Sequence, residues 1–597
     1  MSWISCWRRG PILEPAGCVK CLAVASAIRR RRELASNWDT RQCIAVMSLM
    51  RKSWCHICMH EIETQLLVVG GGVGGVMAAV TAARRGIRVT LTETTDWLGG
   101  VLTAQGVPPD EHFWIEQFGS TATYRDYRNS VREYYRRHYP LTDAASRRRA
   151  FNPGGAKVSD LCHEPRVTVA VLENLVAPLR GSGQLRLLME HEPVAAETDG
   201  DRITAVTVRS RRTGASTTIS AEWVIDASET GEVLPLAGVE YVTGTEARAE
   251  TGEPHAAEVA DPLNMQPVSV CFVLDHQPEE DHTIDRPEGY GLYKADRTVD
   301  WPNGQLSLTA PHPKTRKPVQ HQFWPNPDDD PTAIRPDYAD QRVGSMDRNL
   351  WTFRRIAARA NFRPGAYPSD LTLVNWPQID YWGGPVFDHP DADAHVRAAR
   401  ELSRSFLYWL QTEAPRPDGG TGWPGLRLRG DVLGDADDGL AKTPYIRESR
   451  RIRAEHTIVE QELSLAVRGA AGAVSYPDSV GVGMYRIDLH PSTGGDPYID
   501  IGCCPFELPL GALVPIRVEN LLPGAKNIGT THITNGAYRM PLMEWNIGEV
   551  TGHLIAFCAQ HKATPRQVRA DEELLADFLR EIEEAGVERH WPRIAGY

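Results

Sequence analysis

The chain has 597 residues, of which 42% are hydrophobic and 24% are charged, and it carries a formal net charge of -12 at pH 7. This length predicts two or three domains with large cores. The net negative charge argues against a nucleic-acid surface, and no apolar run reaches the roughly 20 residues of a membrane span. We therefore expect a soluble, cytoplasmic protein with no nucleic-acid or membrane partner.

Residues 1–58 differ from the rest of the chain in charge and in cysteine content. They hold ten Lys and Arg against three acids, and six of the eleven cysteines. Four of these cysteines form two CxxC pairs, Cys18/Cys21 and Cys55/Cys58. The pairs are too far apart for a common zinc site, and prolines and acids interrupt any signal-peptide core. We interpret residues 1–58 as a disordered or spurious extension ahead of a start at Met59, with a targeting segment and a metal site as the alternatives.

The first predicted elements flank a glycine-rich turn. Residues 62–69 have the apolar pattern of a buried parallel strand, and residues 76–85 have the pattern of a helix. Between them Gly70, Gly72 and Gly75 satisfy GxGxxG. In this motif the glycines permit a tight turn, the approach of a pyrophosphate to the main chain, and close packing of helix on strand. The turn therefore predicts a dinucleotide site.

A second strand follows the predicted helix. Residues 87–92 (IRVTLT) form this strand, and Glu93 ends it 21 residues after Gly72. A carboxylate at this distance can accept hydrogen bonds from the adenosine ribose of a dinucleotide. Gly99 and Gly100 come next, where a second backbone approach to the pyrophosphate is useful. These elements strengthen the prediction of a dinucleotide without deciding between FAD and NAD.

Three later stretches extend the pattern. WVIDASETG at 223–231 ends an apolar strand in small residues and an acid. Residues 526–558 predict a strand and a loop, followed by a helix that starts near Asn546. After Gln560, RADEELLADFLREIEEAG predicts an amphipathic surface helix.

The chain resembles a known family over nearly everything after residue 60. The resemblance rests on the glycine motifs and on VPPDEHFWIE at 107–116, VSDLCHEPRV at 158–167, GVEYVTGTEARAETGEPHA at 238–256 and PYIRESRRI at 444–452. The family is that of the FAD-dependent oxidoreductases, two-domain flavoproteins that are similar to the flavoprotein component of heterodisulfide reductase and more distantly to fumarate reductase. The resemblance implies FAD as the cofactor. We expect it to be bound without a covalent link, although the sequence leaves a covalent link open.

The resemblance also implies a fold and a domain order. The expected fold class is α/β, with a Rossmann-like FAD-binding domain of the glutathione reductase type and an inserted α+β substrate domain. The FAD-binding domain would take residues 60–240 and 501–565, the inserted domain 241–500, and a C-terminal surface helix 566–597. The residues that would hold FAD are Gly70, Gly72, Gly75, Glu93, Gly99, Gly100, Val194, Ala227, Asn546, Ile547 and Gly548.

The sequence departs from the family pattern in two places. The family has Arg-Leu-His-Pro where this chain has Arg539, Met540, Pro541 and Leu542, so a histidine near the flavin is missing. The heterodisulfide reductase relatives also carry cysteine-ligated iron–sulfur clusters, but no cluster motif follows residue 60. An iron–sulfur cluster is therefore only a family-level alternative, and we expect no metal ligands.

Three residues are candidates for chemistry on a substrate. His112 lies in a segment that the family folds toward the flavin, and His532 lies one loop before the last predicted helix. Arg539 would pair with a substrate carboxylate or with the flavin. The alternatives are a surface histidine at 112, a hydrogen-bonded structural histidine at 532 and a buried loop organiser at 539.

The predicted function is hydride transfer between a polar organic substrate and flavin N5. The substrate would be a secondary alcohol, an amine or a sugar-like molecule, and an electron carrier is a further expected partner. One alternative is a flavin ene-reductase of the fumarate reductase type. Another is a flavoprotein subunit of an electron-transfer complex that has no turnover alone.

Overall fold

The computed structural model describes residues 60–156, 158–297, 301, 303–331 and 349–592. The predicted extension at 1–58, with both CxxC pairs, lies outside these residues. From Glu61 onward the chain groups as one compact unit. The inserted domain at 241–500 and the other predicted domain boundaries therefore stay predictions.

Strands occur along the whole described chain. They are β1 (His60–Val69), β2 (Val89–Glu93), β3 (Leu185–Met189), β4 (His191–Asp199), β5 (Arg202–Ser210), β6 (Ser216–Asp226), β7 (Tyr241–Val242), β8 (Val268–Ser269), β9 (Phe272–His276), β10 (Thr309–Pro311), β11 (Pro318–Gln320), β12 (Arg355–Ala357), β13 (Leu371–Val374), β14 (Asp380–Tyr381), β15 (Leu426–Leu428), β16 (Arg451–Ile452), β17 (Ser479–Gly483), β18 (Ile487–Leu489), β19 (Ile499–Ile501), β20 (Phe506–Pro509) and β21 (Leu521–Pro523).

The α-helices are interspersed with these strands. They are α1 (Val73–Arg84), α2 (Ala122–His138), α3 (Asp143–Arg147), α4 (Pro165–Gly181), α5 (Val233–Leu236), α6 (Arg248–Thr251), α7 (Tyr290–Ala295), α8 (Leu350–Phe353), α9 (Ala392–Thr412), α10 (Glu460–Leu463), α11 (Leu465–Arg468), α12 (His532–Tyr538), α13 (Pro541–His561), α14 (Pro565–Ala570) and α15 (Glu572–Glu584). In the part of the chain that the structure describes, no helix is long and apolar enough to cross a membrane.

A seven-stranded mixed sheet organises the first part of the chain. Its order is β3-β2-β1-β6-β5-β4, and β21 pairs with β6. β1, β2 and β3 run parallel, as do β6 and β21, whereas β4, β5 and β6 form an antiparallel meander. β21, which is distant in sequence from the other strands of the sheet, lies beside β6. This mixed sheet with its helices confirms the predicted α/β Rossmann-type fold.

The side chains of β1 explain why this strand lies inside the sheet. Leu66 and Val68 pack into the hydrophobic core that includes α1 and α13, while Leu67 and Val69 pack into the core on the opposite face. Successive residues of a strand point to opposite faces, so a strand covered on both sides is a continuous apolar run. The predicted strand at 62–69 is confirmed, with a start two residues earlier.

Two helix starts differ from the prediction. α1 begins at Val73 rather than at 76, so Gly74 and Gly75 lie in its first turn. α13 begins at Pro541 rather than near Asn546, because proline is favourable at the first helical position, where its missing N–H costs nothing. The prediction of a helix N-terminus at 546–548 is therefore wrong. These residues lie in the second turn, where backbone N–H groups bond within the helix.

The C-terminal residues fold as two helices where the sequence predicted one. Asp571 interrupts them and accepts hydrogen bonds from the N–H groups of Glu573 and Leu574, both at 3.0 Å. This side chain is a typical N-cap. Phe578 of α15 is buried and packs edge-on against Phe557 of α13 at 5.4 Å.

Candidate active site

The glycine-rich turn between β1 and α1 leaves no room for side chains. A Cβ on Gly70, whose φ is +101°, would lie 2.3 Å from the carbonyl oxygen of Ala227. A Cβ on Gly75 would lie 1.8 Å from Gly70 O, and one on Gly74 would lie 1.9 Å from Gly524 O. The helix, β1 and the loop after β21 therefore approach one another at backbone distance.

A second glycine turn lies beside the first. The N–H of Gly99 donates to Gly71 O at 2.8 Å, and a Cβ on Gly100 would lie 2.9 Å from the Cα of Gly72. The carboxylate of Glu229 faces both turns, because its Oε1 is 3.1 Å from the Cβ position of Gly72 and 2.4 Å from that of Gly100. We call these turns, Gly70–Gly75 with Gly99 and Gly100, the glycine cradle. Its bare backbone and the N-terminus of α1 fit the pyrophosphate of a dinucleotide.

Glu93 closes the cradle at the end of β2. Its Oε2 accepts from the N–H of Gly71, and its Oε1 accepts from the N–H and the hydroxyl of Thr95, all at 2.8 Å. The Thr94 hydroxyl also donates to Oε1 at 3.5 Å, whereas Oε2 accepts only from Gly71 among the described residues and keeps an acceptor position for a ribose hydroxyl. Burial raises the pKa of Glu93, and these hydrogen bonds oppose that rise.

The other predicted adenine-side residues occupy different settings. Ala227 is buried at the end of β6, where its N–H donates to Val69 O at 2.7 Å beside Gly70. Val194 is the extra residue of a bulge in β4, between Pro193 and Ala195, and is half-buried. Ala227 therefore adjoins the glycine cradle, and the role of Val194 stays a prediction.

A buried lysine lies between two acids next to the cradle. Lys526 Nζ is 2.6 Å from Glu229 Oε2 and 3.0 Å from Glu544 Oε1. Burial alone would lower the pKa of Lys526, but the two carboxylates raise it. Burial raises the pKa of Glu544, although Lys526 opposes the rise. The three side chains connect the glycine cradle to the first turn of α13.

The residues predicted on α13 do not act alike. Asn546 donates from Nδ2 to Val480 O at 3.1 Å, while its Oδ1 is buried without a hydrogen-bond partner among the described residues. Ile547 is part of the hydrophobic core. A Cβ on Gly548 would lie 1.9 Å from Gly74 O, so this glycine permits the close crossing of α13 and α1. Contact of these three residues with a flavin stays a prediction.

His112 is held by the backbone around it. Its Nδ1 accepts from the N–H of Trp114 at 3.2 Å, and its Nε2 lies 2.9 Å from Gly119 O. This pair of bonds fits the neutral tautomer with the proton on Nε2. The ring also packs edge-on against Trp591. Both nitrogens are therefore engaged in the loop, and a role in proton transfer stays a prediction.

His532 lies in a buried ion network at the start of α12. Its Nδ1 is 2.9 Å from Glu448 Oε2, and Glu448 also pairs with Arg451. Burial would lower the pKa of His532, but Glu448 raises it above its ordinary value. In the same network, burial would raise the pKa of Glu448, yet His532 and Arg451 hold it at about 2. The contacts favour a charged structural histidine.

Arg539 belongs to a second buried group, which we call the charged cluster. Its members come from four separate segments: Asp380, Tyr445, Arg447, Asp488, His490 and Arg539. Arg539 donates from Nη1 to the Tyr445 hydroxyl at 2.5 Å and lies 3.3 Å from Asp488 Oδ2. Arg447 donates to Asp380 Oδ1 at 2.8 Å, and its guanidinium lies 4.7 Å from the centre of the Tyr445 ring.

His490 connects the two carboxylates of the charged cluster. Its Nδ1 is 2.5 Å from Asp380 Oδ2, and its Nε2 is 3.4 Å from Asp488 Oδ2. Burial would raise the pKa of Asp380, but Arg447 and His490 keep it below its ordinary value. The pKa of Asp488 is also lowered, because His490 and Arg539 outweigh the effect of burial. The cluster thus holds ionised carboxylates beside arginines, with Asp380 fully buried and the Asp488 side chain 17% exposed.

The charged cluster adjoins the glycine cradle through the chain after Gly100. The N–H of Thr443 donates to Ala104 O at 3.2 Å, and that of Ile446 donates to Gln105 Oε1 at 3.3 Å. On the other side, Arg539 directly precedes Met540, the N-cap of α13. The segment that carries Tyr445 and Arg447 therefore lies against the loop that leaves the second glycine turn.

Sequence reasoning identified only Arg539 among the members of the charged cluster. Asp488 and His490 alternate on and just after β18, a spacing that places both side chains on one face of a strand. Tyr445 and Arg447 show the same alternation within PYIRESRRI. Both signals were present, but a strand with alternating charges is also typical of an exposed face.

Buried polar atoms near the cradle and the cluster lack partners within the described chain. They include Gln105 Nε2, Arg447 Nε, Tyr498 OH, Arg539 Nε and Asn546 Oδ1. A buried polar group without a hydrogen bond costs about 1–3 kcal/mol, so a ligand atom or a water molecule that binds to such a group would stabilise it. Among the described residues, no group of histidines, cysteines or acids is arranged to hold a metal ion. The site fits an organic cofactor and a polar substrate.

Comparisons with solved structures find distant similarities. The chain is similar to the glycerol-3-phosphate dehydrogenase of Bacillus halodurans complexed with FAD, at 17% identity over 36% of this chain and 40% of that chain, with a TM-score of 0.21. It is also similar to the L-proline dehydrogenase of P. horikoshii, at 16% identity over 32% of this chain and 25% of that chain, with a TM-score of 0.17.

A curated relative matches over a short stretch. The cinnamate reductase of Clostridium sporogenes is 39% identical over 72 residues, which are 12% of this chain and 11% of the relative. The chain thus spans well under two thirds of each of these relatives.

A family comparison covers far more of the chain. The sequence model described as "FAD dependent oxidoreductase" matches residues 65–580, from β1 into α15. Likeness to the heterodisulfide reductase subgroup stays a prediction. The chain belongs to the FAD dependent oxidoreductase family.

Proposed function

We propose that the enzyme transfers a hydride between a polar organic substrate, such as a secondary alcohol, an amine or a sugar-like molecule, and FAD. The observation that supports this proposal best is the charged cluster, because it lies against the loop leaving the glycine cradle. FAD, when bound, supplies the hydride chemistry at N5 of its ring system. The protein residues must then bind the substrate, orient it and move protons.

The cradle residues would hold the cofactor by its dinucleotide half. Gly72 and Gly100 would let the pyrophosphate reach the main chain, and Glu93 would accept a hydrogen bond from the ribose. We propose that FAD is attached without a covalent link.

The charged cluster would handle the proton that accompanies hydride transfer. The Tyr445 oxygen accepts from Arg539, so the Tyr445 O–H can donate to a substrate oxygen or nitrogen. His490 is oriented by Asp380 through its Nδ1, which resembles the way a general base is held in place. These contacts favour Tyr445 and His490 over His112, because both nitrogens of His112 are in hydrogen bonds, whereas Nε2 of His490 has only a 3.4 Å contact with Asp488.

Anaerobic mixing of the flavin-loaded protein with candidate substrates tests this function. We expect flavin absorbance at about 450 nm to bleach with a secondary alcohol or an amine, and the FAD to appear in the supernatant after acid precipitation. Protein that carries FAD but is bleached by no member of such a panel would contradict the proposed substrate class.

A second candidate is reduction of an activated alkene. The short match to the cinnamate reductase of Clostridium sporogenes favours it. The two candidates predict opposite half-reactions. Reoxidation of the reduced protein by cinnamate or fumarate under anaerobic conditions would support the ene-reductase.

A role as a flavoprotein subunit remains the third alternative. It predicts tightly bound FAD, no turnover by the isolated chain and a co-purifying electron carrier. An electron-carrier partner and a cytoplasmic location remain predictions from the sequence.

A further inference from the structure

Two consecutive arginines at the start of β12 are satisfied to very different degrees. Arg355 donates from Nε to Gly154 O at 2.7 Å and pairs with Asp329 at 2.7 Å and Asp370 at 3.0 Å. Arg354 has a looser partner, because its Nη2 lies 3.6 Å from Asp110 Oδ2. Its Nε and Nη1 are buried and have no hydrogen-bond partner within the described residues. Arg355 is therefore a structural residue, whereas Arg354 retains most of its donor capacity.

Arg354 shares its surroundings with the charged cluster. Burial would lower the pKa of Arg354, but Asp110, Tyr485 and Tyr445 are among the groups that raise it. Arg539 has nearly the same neighbours, since Tyr445, Tyr485 and Asp110 also act on its pKa against the effect of burial. The two guanidinium groups therefore have Tyr445, Tyr485 and Asp110 as common neighbours. Arg539 and Arg447 have short contacts with carboxylates of the protein, but Arg354 does not.

A buried guanidinium whose N–H groups lack hydrogen-bond partners favours the binding of an anion. Leaving such a group unpaired in a dry site is unfavourable, and a planar carboxylate matches the fork of an arginine through two parallel hydrogen bonds. A neutral hydroxyl oxygen would not form the two parallel hydrogen bonds that a carboxylate forms with a guanidinium. The side chain of Arg354 is 13% exposed, although its Nε and Nη1 are buried.

We propose that Arg354 binds a carboxylate of the substrate, so that the enzyme acts on an organic acid with an oxidisable or reducible carbon near its carboxylate. This inference rests on the proposed function and narrows its substrate class, because it excludes neutral alcohols and sugars. The carboxylate would accept from Nη1 and Nη2 of Arg354, the two donors at the end of the guanidinium that one carboxylate can bridge. The reacting carbon would then lie toward Tyr445 and His490.

Matched pairs of acids and amides test the proposal on the flavin-loaded protein. The probes are benzoate against benzamide and succinate against succinamide, titrated at constant ionic strength with chloride as the balancing anion. Binding is followed by the change in the flavin spectrum and, independently of the flavin, by calorimetry. We expect the acids to bind saturably and the amides to bind at least about tenfold more weakly.

Substitutions at Arg354 identify the residue responsible. Arg354→Gln should weaken acid binding at least about tenfold without changing the FAD content, and Arg354→Lys should recover part of it because it restores the charge without the fork. Arg209→Gln, at an exposed ion pair with Glu192 on β5, is the matched control and should bind the acids like the wild type. Equal binding of acid and amide, or unchanged acid binding by Arg354→Gln, would overturn the proposal.

The same experiment separates this proposal from the function on which it rests. Loss of FAD from Arg354→Gln would overturn the substrate role, since it would assign Arg354 to the cofactor. If the wild type lacks FAD, the proposed function fails, yet calorimetry still decides whether Arg354 is a carboxylate receptor.

Discussion

The glycine cradle and the charged cluster hold buried acids in opposite electrostatic settings. In and beside the cradle, burial raises the pKa of Glu93 and of Glu544, and it raises that of Asp226 to about 6. In the cluster, the pKa values of Asp380 and Asp488 are lowered by arginines and by His490 despite burial. The surroundings of the cradle therefore disfavour the ionised form of its carboxyl groups, whereas the surroundings in the cluster stabilise the ionised form.

This difference follows from what each region binds in our account. A cradle for a pyrophosphate relies on backbone N–H groups and a helix N-terminus. These groups bind an anion without a matching side-chain cation. A substrate site must hold charges and protons at defined atoms, which needs side chains fixed by ion pairs. Substitutions that alter one region should consequently leave the other intact.

The largest effect is expected at Lys526, the cation beside the cradle. Lys526→Met leaves Glu229 and Glu544 facing each other without compensation, and loss of one partner from a buried ion pair costs about 4 kcal/mol. Urea unfolding should show a free energy of unfolding that is lower by this amount. The variant should also bind FAD more weakly, as measured by its FAD content. Lys294→Met is the control, because Lys294 pairs with Glu413 at the surface and such pairs contribute about 0–1 kcal/mol. Equal stabilities of the two variants would mean that the lysine does not organise the cradle.

Asp380→Asn should have the next largest effect and a defined pH dependence. Asp380 is fully buried and binds Arg447 and His490, so its loss should cost about 3 kcal/mol at pH 7. Because its pKa is lower in the folded protein than in the unfolded chain, the stability it contributes is present above its ordinary pKa of 3.8 and is lost as the pH falls below that value. The difference in the free energy of unfolding between variant and wild type should therefore decrease as the pH falls from 7 into the acid range. A difference that does not depend on pH would contradict the ion-pair account.

Gly75→Ala tests the cradle by size alone. Its methyl group would lie 1.8 Å from Gly70 O, so backbone must shift, at a cost of about 1–3 kcal/mol. We expect the FAD content of the purified protein to fall at least about tenfold. Gly181→Ala is the matched control, since nothing lies within 4 Å of the added methyl group. Retention of FAD by Gly75→Ala would show that the turn does not determine cofactor binding.

The smallest effect is expected for Glu544→Gln, with the opposite pH dependence to Asp380→Asn. The folded protein keeps the Glu544 proton to a higher pH than the unfolded chain does. The stability that this group contributes is therefore present below its ordinary pKa of 4.5 and is lost as the pH rises through its raised value. Glu544→Gln removes this loss. The free energy of unfolding of the variant should therefore exceed that of the wild type by about 1 kcal/mol at pH 8 and equal it near pH 5. A variant that is less stable at pH 8 would refute the sign of the shift.

The two regions also differ in how far the sequence revealed them. The cradle was predictable because its parts are close in the chain: the glycines, α1 and Glu93 lie within 30 residues of one another and their spacing has a steric cause. The charged cluster was not, because Asp380, Tyr445, Asp488 and Arg539 meet only after the chain between β6 and β21 folds. Local spacing carries no signal for such contacts. The predicted start of α13 is wrong for a different reason, since Pro541 was weighed as a departure from the family pattern and not as a helix start.

The flavin spectra of the wild type, Gly75→Ala and Tyr445→Phe test the division between cradle and cluster most directly. Each protein is scanned at about 450 nm as purified and after anaerobic addition of the substrate that the panel identifies. Our account predicts equal FAD in the wild type and Tyr445→Phe, little in Gly75→Ala, and bleaching that is at least about tenfold slower in Tyr445→Phe than in the wild type. A colourless wild type, or a Tyr445→Phe variant that loses its FAD or bleaches at the wild-type rate, would contradict it.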